Sequence, residues 1–286
     1  LSMDLLTVLR RWRGIIALAR PLNVLIAALS IAVAALISGG GSSESIILAC
    51  LAGALITVAA NAINDYFDIE IDRINKPHRP LVIGMISRQT ALVVAGGAAL
   101  TGLLCSFLLS RVNGMMAAGA VVSLYFYSAR LKGTVLLGNL LVSLFTGLAF
   151  LFGSAAVGRF KAGLPPAIFA FLMHLGREII KDMQDVPGDR QQLAATLPVR
   201  YGMLPAKVIA TLVFIVLIIT TWLPYHWHWY GKWYFALVVA GIYPILFYSV
   251  CSLWHRSDEK NLGRISGLLK ADMVVGLLAI FLGKWQ

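Results

Sequence analysis

Runs of about 20 mostly apolar residues follow one another along this 286-residue chain, and each is long enough to cross a bilayer as a helix. Hydrocarbon offers no water to exposed peptide groups, so such runs must satisfy their own backbone hydrogen bonds. About nine are read, at 18–38, 44–64, 90–110, 113–129, 134–156, 164–181, 206–223, 233–252 and 267–283. Hydrophobic residues make up 59% of the chain and charged residues 13%, a balance that soluble domains do not show. The expected fold is therefore all-α: a polytopic bundle of about nine transmembrane helices, forming a single domain over 1–286. Small residues within the runs, among them Gly138, Gly147 and Gly153, would let helices approach closely in lipid.

The basic residues are unevenly placed about these spans. With the N-terminus in the cytoplasm, all 24 Lys and Arg residues except Arg111, Arg159, Lys161, Lys232 and Lys284 fall in or beside cytoplasmic segments, as the positive-inside rule requires. The expectation is a multi-pass cell-membrane protein with its N-terminus and active site on the cytoplasmic side. The formal net charge of +11 then points to anionic lipid head groups and phosphorylated substrates, not to nucleic acid. Cys50, Cys105 and Cys251 lie in apolar runs, so neither a disulfide framework nor a thiol metal site is expected. His226 and His228 sit in the aromatic segment Pro224–Tyr230, read as an interfacial belt and not as a metal pair.

Against this apolar background the acids cluster. Of 13 Asp and Glu residues, eight lie in two short stretches, Asn61–Asp72 and Glu178–Asp189. In the first, Asp65, Asp68 and Asp72 fall within roughly 60° of one another on a helix turning about 100° per residue, with Asn61 on the same side. In the second, Glu178, Asp182, Asp185 and Asp189 repeat those offsets. Pro187–Gly188 should bend or end that helix and leave Asp189 on a turn. Crowded carboxylates repel unless a cation lies between them, and oxygen-only ligands favour a hard divalent ion, Mg²⁺ above all. Mg²⁺ is commonly held by a few carboxylates together with substrate phosphate oxygens, which points to a diphosphate between the two clusters.

Nearby cations suit that ligand: Lys76 and Arg79 follow the first cluster, and Arg177, Lys181 and Arg190 flank the second. Arg20, beside Pro21, and Lys132, after Tyr125–Arg130, face the same side. A diphosphate at the rim leaves an apolar tail to enter the bundle. An allylic tail would become a carbocation on ionisation, and aromatic faces such as Tyr66, Phe67, Tyr125, Phe145 or Phe150 could shelter it.

Asn64-Asp65-Tyr-Phe-Asp68-Ile-Glu-Ile-Asp72, followed by Asn75-Lys76-Pro-His-Arg79-Pro80, resembles the NDxxDxxxD motif of the UbiA superfamily of intramembrane prenyltransferases. Lys181-Asp182-Met-Gln-Asp185-Val-Pro-Gly-Asp189-Arg190 resembles that family's second aspartate-rich motif. The resemblance implies Mg²⁺-dependent prenyl transfer from a prenyl diphosphate donor, within the membrane. It implies that Asp65, Asp68, Asp72, Asp182, Asp185 and Asp189 hold the metal, with Asp65, Asp68, Asp182 and Asp185 in the catalytic role. Asn61, Asn64, Arg20, Lys76, Arg79, Tyr125, Lys132, Lys181 and Arg190 would bind substrate.

The second motif, with Ala195-Thr-Leu-Pro-Val-Arg-Tyr-Gly202 after it, is similar to the archaeal branch that makes digeranylgeranylglyceryl phosphate, and also to homogentisate and chlorophyll-type branches. The basic surplus favours a lipid-phosphate acceptor; an aromatic acceptor, as in quinone synthesis, is the alternative. A secondary transporter would carry its charges near the midplane on broken helices, whereas these lie at one rim. A phosphatidyl-transferring enzyme of the CDP-alcohol type would need an Asp-Gly signature where Asp65 is followed by Tyr66.

Overall fold

The computed structural model describes residues 3–131, 134–191 and 193–284. Among them every regular element is helical. In chain order these are α1 (Met3–Ala19), α2 (Pro21–Ile37), α3 (Ser43–Phe67), α4 (Ile69–Asn75), α5 (Arg88–Leu109), α6 (Arg111–Phe126), α7 (Leu137–Ala156), α8 (Leu164–Gln191), α9 (Leu197–Tyr201), α10 (Met203–His226), α11 (Lys232–Leu237), α12 (Tyr243–His255) and α13 (Glu259–Lys284). A π-helical turn at Tyr127–Leu131 extends α6, and another at Val238–Ile242 joins α11 to α12.

Among the described residues seven helices are long and apolar enough to span a membrane: α3, α5, α6 with its π turn, α7, α10, the α11–α12 unit and α13. An eighth span is possible from α1 and α2, which meet at a 45° bend. The bend has a local cause. Arg20 adopts a left-handed conformation (φ 52°) and Pro21 opens α2, where its fixed φ is favourable and its missing N–H costs nothing. Among the described residues the candidates thus number seven to eight, and the expected count of about nine is not confirmed. The expected span at 164–181 is the first part of α8, which continues another ten residues through charged sequence.

The helix ends follow from short polar signals. Ser42, Ser87 and Ser110 cap α3, α5 and α6, each hydroxyl accepting from the amide three residues on at 3.0 to 3.2 Å, which satisfies a donor that would otherwise lie bare. At the centre stands α8, packed against α7, α10 and α13. Its buried Ile179, Ile180 and Met183 share a core with Phe214 and Leu217 of α10 and Leu269 of α13. Close approach depends on missing side chains: a Cβ at Gly147 would lie 2.7 Å from the Ala167 carbonyl oxygen, and one at Gly153 2.3 Å from that of Ile31.

At the opposite end of the bundle, Trp227 and Trp229 are exposed side by side, in keeping with an interfacial belt. His226 stacks on Trp222 at 4.7 Å.

Candidate active site

The junction of α3 and α4 breaks at Asp68, whose backbone (φ −85°, ψ 0°) leaves the helical region for one residue. Its amide still donates to the Asn64 carbonyl at 3.0 Å, and its carbonyl accepts from Asp72 at 2.8 Å. The helical course therefore bends without unravelling. Asp68 opens onto a cavity of about 950 Å³. Asn64 donates its side-chain amide to the Asp68 carboxylate at 2.6 Å, and Asn61 donates to the Ala19 carbonyl at 2.8 Å. Both asparagines line the same cavity.

The other two acids of this motif are buried behind that wall. Arg79 pairs with Asp65 at 2.7 Å and also with Asp72, and Arg20 pairs with Asp65. Neither Asp65 nor Asp72 lines the cavity, whereas Arg20 and Arg79 do. The aspartates of the first motif are thus divided: Asp68 faces the site, and Asp65 and Asp72 hold the arginines that face it.

The facing wall is the second half of α8. Asp182, Asp185 and Asp189 all line the cavity. Asp182 accepts from the Asn139 amide of α7 at 2.9 Å, Asp185 from Lys76 at 2.9 Å and Asp189 from Thr196 at 3.1 Å. Lys181 donates to both Glu178 oxygens at 2.8 Å. The expected turn at Asp189 is not formed, because α8 runs through Pro187 to Gln191. Pro187 has no amide to donate to the Met183 carbonyl, so the helix continues at the cost of one backbone bond. Gly188 packs against Asn75 of α4; a Cβ there would lie 2.4 Å from the Asn75 amide oxygen.

Among the described residues no three acidic, histidine or cysteine side chains are gathered tightly enough to cage an ion. Lysine and amide groups lie against the carboxylates instead. The donor set nevertheless fits Mg²⁺. Asp68, Asp182, Asp185 and Asp189 offer oxygen ligands from two walls of one cavity, the arrangement suited to an ion completed by substrate phosphate. Burial pushes the Asp182 carboxyl up to about 7, although the Asn139 hydrogen bond pulls the other way. A cation placed there would relieve that penalty.

Not every expected site residue reaches the cavity. Tyr125 is half exposed and packs edge-on against Phe67 and Phe126. Arg190 is exposed and off the wall, and Lys132 lies outside the described residues. Tyr66 lies beneath Arg88, and Phe150 belongs to the core; Phe67 and Phe145 do line the cavity. Tyr127, Asn139, Thr196, Asn23 and Lys270, none of them marked by spacing, are also on the wall. An amide at 139 and a lysine at 270, each inside an apolar run, were the available signals.

Residues 24–266 match the sequence profile of the UbiA prenyltransferase family. The chain belongs to that family. A UbiA-type prenyltransferase accounts for the two acidic walls and for the apolar bundle around them. A relative from Methanopyrus kandleri, named digeranylgeranylglyceryl phosphate synthase, is 40% identical over 271 residues, covering 93% of this chain and 97% of its own. A solved structure of a digeranylgeranylglyceryl phosphate synthase in membranes superposes with a TM-score of 0.77 at 29% identity, covering 96% of this chain and 98% of the other. A UbiA homolog from Archaeoglobus fulgidus, bound to GPP and Mg²⁺, shares the fold at 18% identity with a TM-score of 0.60, covering 93% and 99% of the two chains.

Proposed function

We propose that this prenyltransferase moves a geranylgeranyl group from geranylgeranyl diphosphate to the free hydroxyl of geranylgeranylglyceryl phosphate, a step of membrane ether-lipid synthesis, with Mg²⁺ as cofactor. The observation that carries this reading is the cavity itself. Asp68 and the α8 aspartates face each other at its mouth, and its far end is apolar. Lining residues on α3 run from Gly53 to Phe67, about 21 Å at 1.5 Å per residue, a depth suited to an extended twenty-carbon chain. The acceptor reading is supported by the Methanopyrus relative, named digeranylgeranylglyceryl phosphate synthase, which matches 93% of this chain.

Mg²⁺ bound with the donor supplies positive charge against the diphosphate oxygens. In this reading Asp68, Asp182, Asp185 and Asp189 hold that charge, and Asn61 and Asn64 orient the head group. Arg79 and Lys76 face the departing phosphate, where cationic donors are worth most as negative charge develops. Asp65 and Asp72 set the Arg79 guanidinium in place. The tail lies between α2, α3, α6 and α7, with Phe145 and Tyr127 beside its path. The acceptor hydroxyl is a weak nucleophile, so the rate depends on holding it next to the allylic carbon as the donor ionises. No strong base is required, because an oxygen that has added to a carbocation gives up its proton readily. The uneven distribution of Lys and Arg supports a cytoplasmic mouth.

The test is a single assay with labelled geranylgeranyl diphosphate and equal amounts of geranylgeranylglyceryl phosphate and 4-hydroxybenzoate. Label is expected in the ether lipid. Label mainly in the aromatic product would overturn the acceptor and leave the reaction class standing.

A further inference from the structure

Lys270 lies within α13, one of the membrane-spanning helices, and its side chain lines the active-site cavity. Its ammonium donates to the side-chain oxygen of Asn23 at 2.6 Å, and among the described residues no carboxylate pairs with it. Arg177 is turned toward α13 by a bond from Nε to the Ser266 carbonyl at 3.1 Å. Glu178 is the acid of this corner, and Lys181 already binds both its oxygens. Arg177, Lys181 and Lys270 thus stand against one carboxylate, a surplus of two positive charges. An ionisable group inside a membrane protein is costly and calls for a partner; here the protein provides an amide.

We propose that this corner, between α2, α8 and α13, binds the phosphate monoester of the acceptor lipid. The claim rests on the acceptor reading above and adds where its phosphate sits. A phosphate monoester carries about −1.5 to −2 at pH 7, which matches the surplus. The corner is also separate from the donor's head group. Arg177 precedes Asp182 by five residues, about 7 Å along α8, with the Glu178–Lys181 pair between them. Two phosphorylated lipids can therefore occupy one cavity, the diphosphate through its metal and the monoester through side chains alone.

That division gives the experiment. Lys270→Gln should raise KM for geranylgeranylglyceryl phosphate by about tenfold to a hundredfold, the range for losing a charge-assisted hydrogen bond. KM for geranylgeranyl diphosphate should stay within about twofold. Lys270→Arg should restore most of the loss. Turnover of geranylgeranylglycerol, which lacks the phosphate, should be equal in wild type and Lys270→Gln. Asn23→Asp gives Lys270 an internal carboxylate without removing any cation, and should weaken the phosphorylated acceptor in the same way. Binding measured in EDTA should persist for geranylgeranylglyceryl phosphate and be lost in Lys270→Gln. If wild type uses that acceptor but both variants leave its KM within twofold, or if the donor KM rises equally, the phosphate site is wrong and the functional reading survives. If wild type neither binds nor uses it, the functional reading fails and the site with it.

Discussion

Lys76 donates to the Asp185 carboxylate at 2.9 Å, joining two motifs that lie 109 residues apart in sequence. Beside it, the Asn75 amide donates to the Asp185 carbonyl at 3.3 Å. The two acidic walls are therefore held in register by residues of the motifs themselves, and the width of the site is set where α4 meets α8.

That width rests on Gly188, whose missing side chain admits Asn75. Gly188→Ala should displace the Asn75 side chain and break its bond to the Asp185 carbonyl. Steady-state assays are expected to show kcat/KM lowered by about tenfold or more, with a stability loss of about 1–3 kcal/mol from overpacking. Unchanged kinetics would mean that the Asn75–Asp185 bond does not matter.

The division of the aspartates gives distinct outcomes for two classes of variant. Asp182→Ala and Asp185→Ala, at the cavity surface, should lower turnover by at least about a hundredfold while thermal unfolding in detergent changes little. Asp65→Ala should also cost about 1.5–3 kcal/mol of stability, because it takes the paired carboxylate from Arg20 and leaves Arg79 with Asp72 alone. Similar unfolding temperatures for all three would show that Asp65 does not carry its arginines.

Chelation should abolish transfer and added Mg²⁺ should restore it, read as diphosphate release. Retention of activity in excess EDTA would remove the metal from the reaction.

Tail length is open to a steric test. Ala120 of α6 lines the cavity eight residues above Ser128, about 12 Å along the helix. Ala120→Phe should shorten the usable depth. Geranylgeranyl diphosphate should lose at least about tenfold in kcat/KM, and geranyl diphosphate much less. Equal losses for both donors would place the tail elsewhere.

Orientation can be checked by labelling. In a protein lacking Cys50, Cys105 and Cys251, a cysteine at exposed Glu259 should react only from the cytoplasmic side, and one at exposed Lys161 only from outside. The reverse pattern would turn the site to the opposite face.

The all-helical membrane architecture and both acidic clusters were legible because each has a pattern: long apolar runs for one, matched three-, four- and seven-residue offsets for the other. The sequence could not show which acids face the cavity. Asp65 and Asp68 are three residues apart, yet one is sealed under Arg79 and the other opens at a helix break. The exchange of Tyr125 for Tyr127 on the wall has a similar origin. The π turn at Tyr127–Leu131 departs from the 3.6-residue period, and nothing in the composition there marks it. Lys270 and Asn23 lie 247 positions apart, and only the packing of α13 on α2 brings them together.

Arg79 bridges Asp65 and Asp72, and Arg20 joins them, so the first motif carries its own counter-charge inside the fold. Insertion into the bilayer and assembly of the bundle can then proceed with no divalent ion in place. Asp68, Asp182, Asp185 and Asp189 would hold Mg²⁺ together with a bound diphosphate, so magnesium would be required for the catalytic cycle and not for the survival of the folded enzyme.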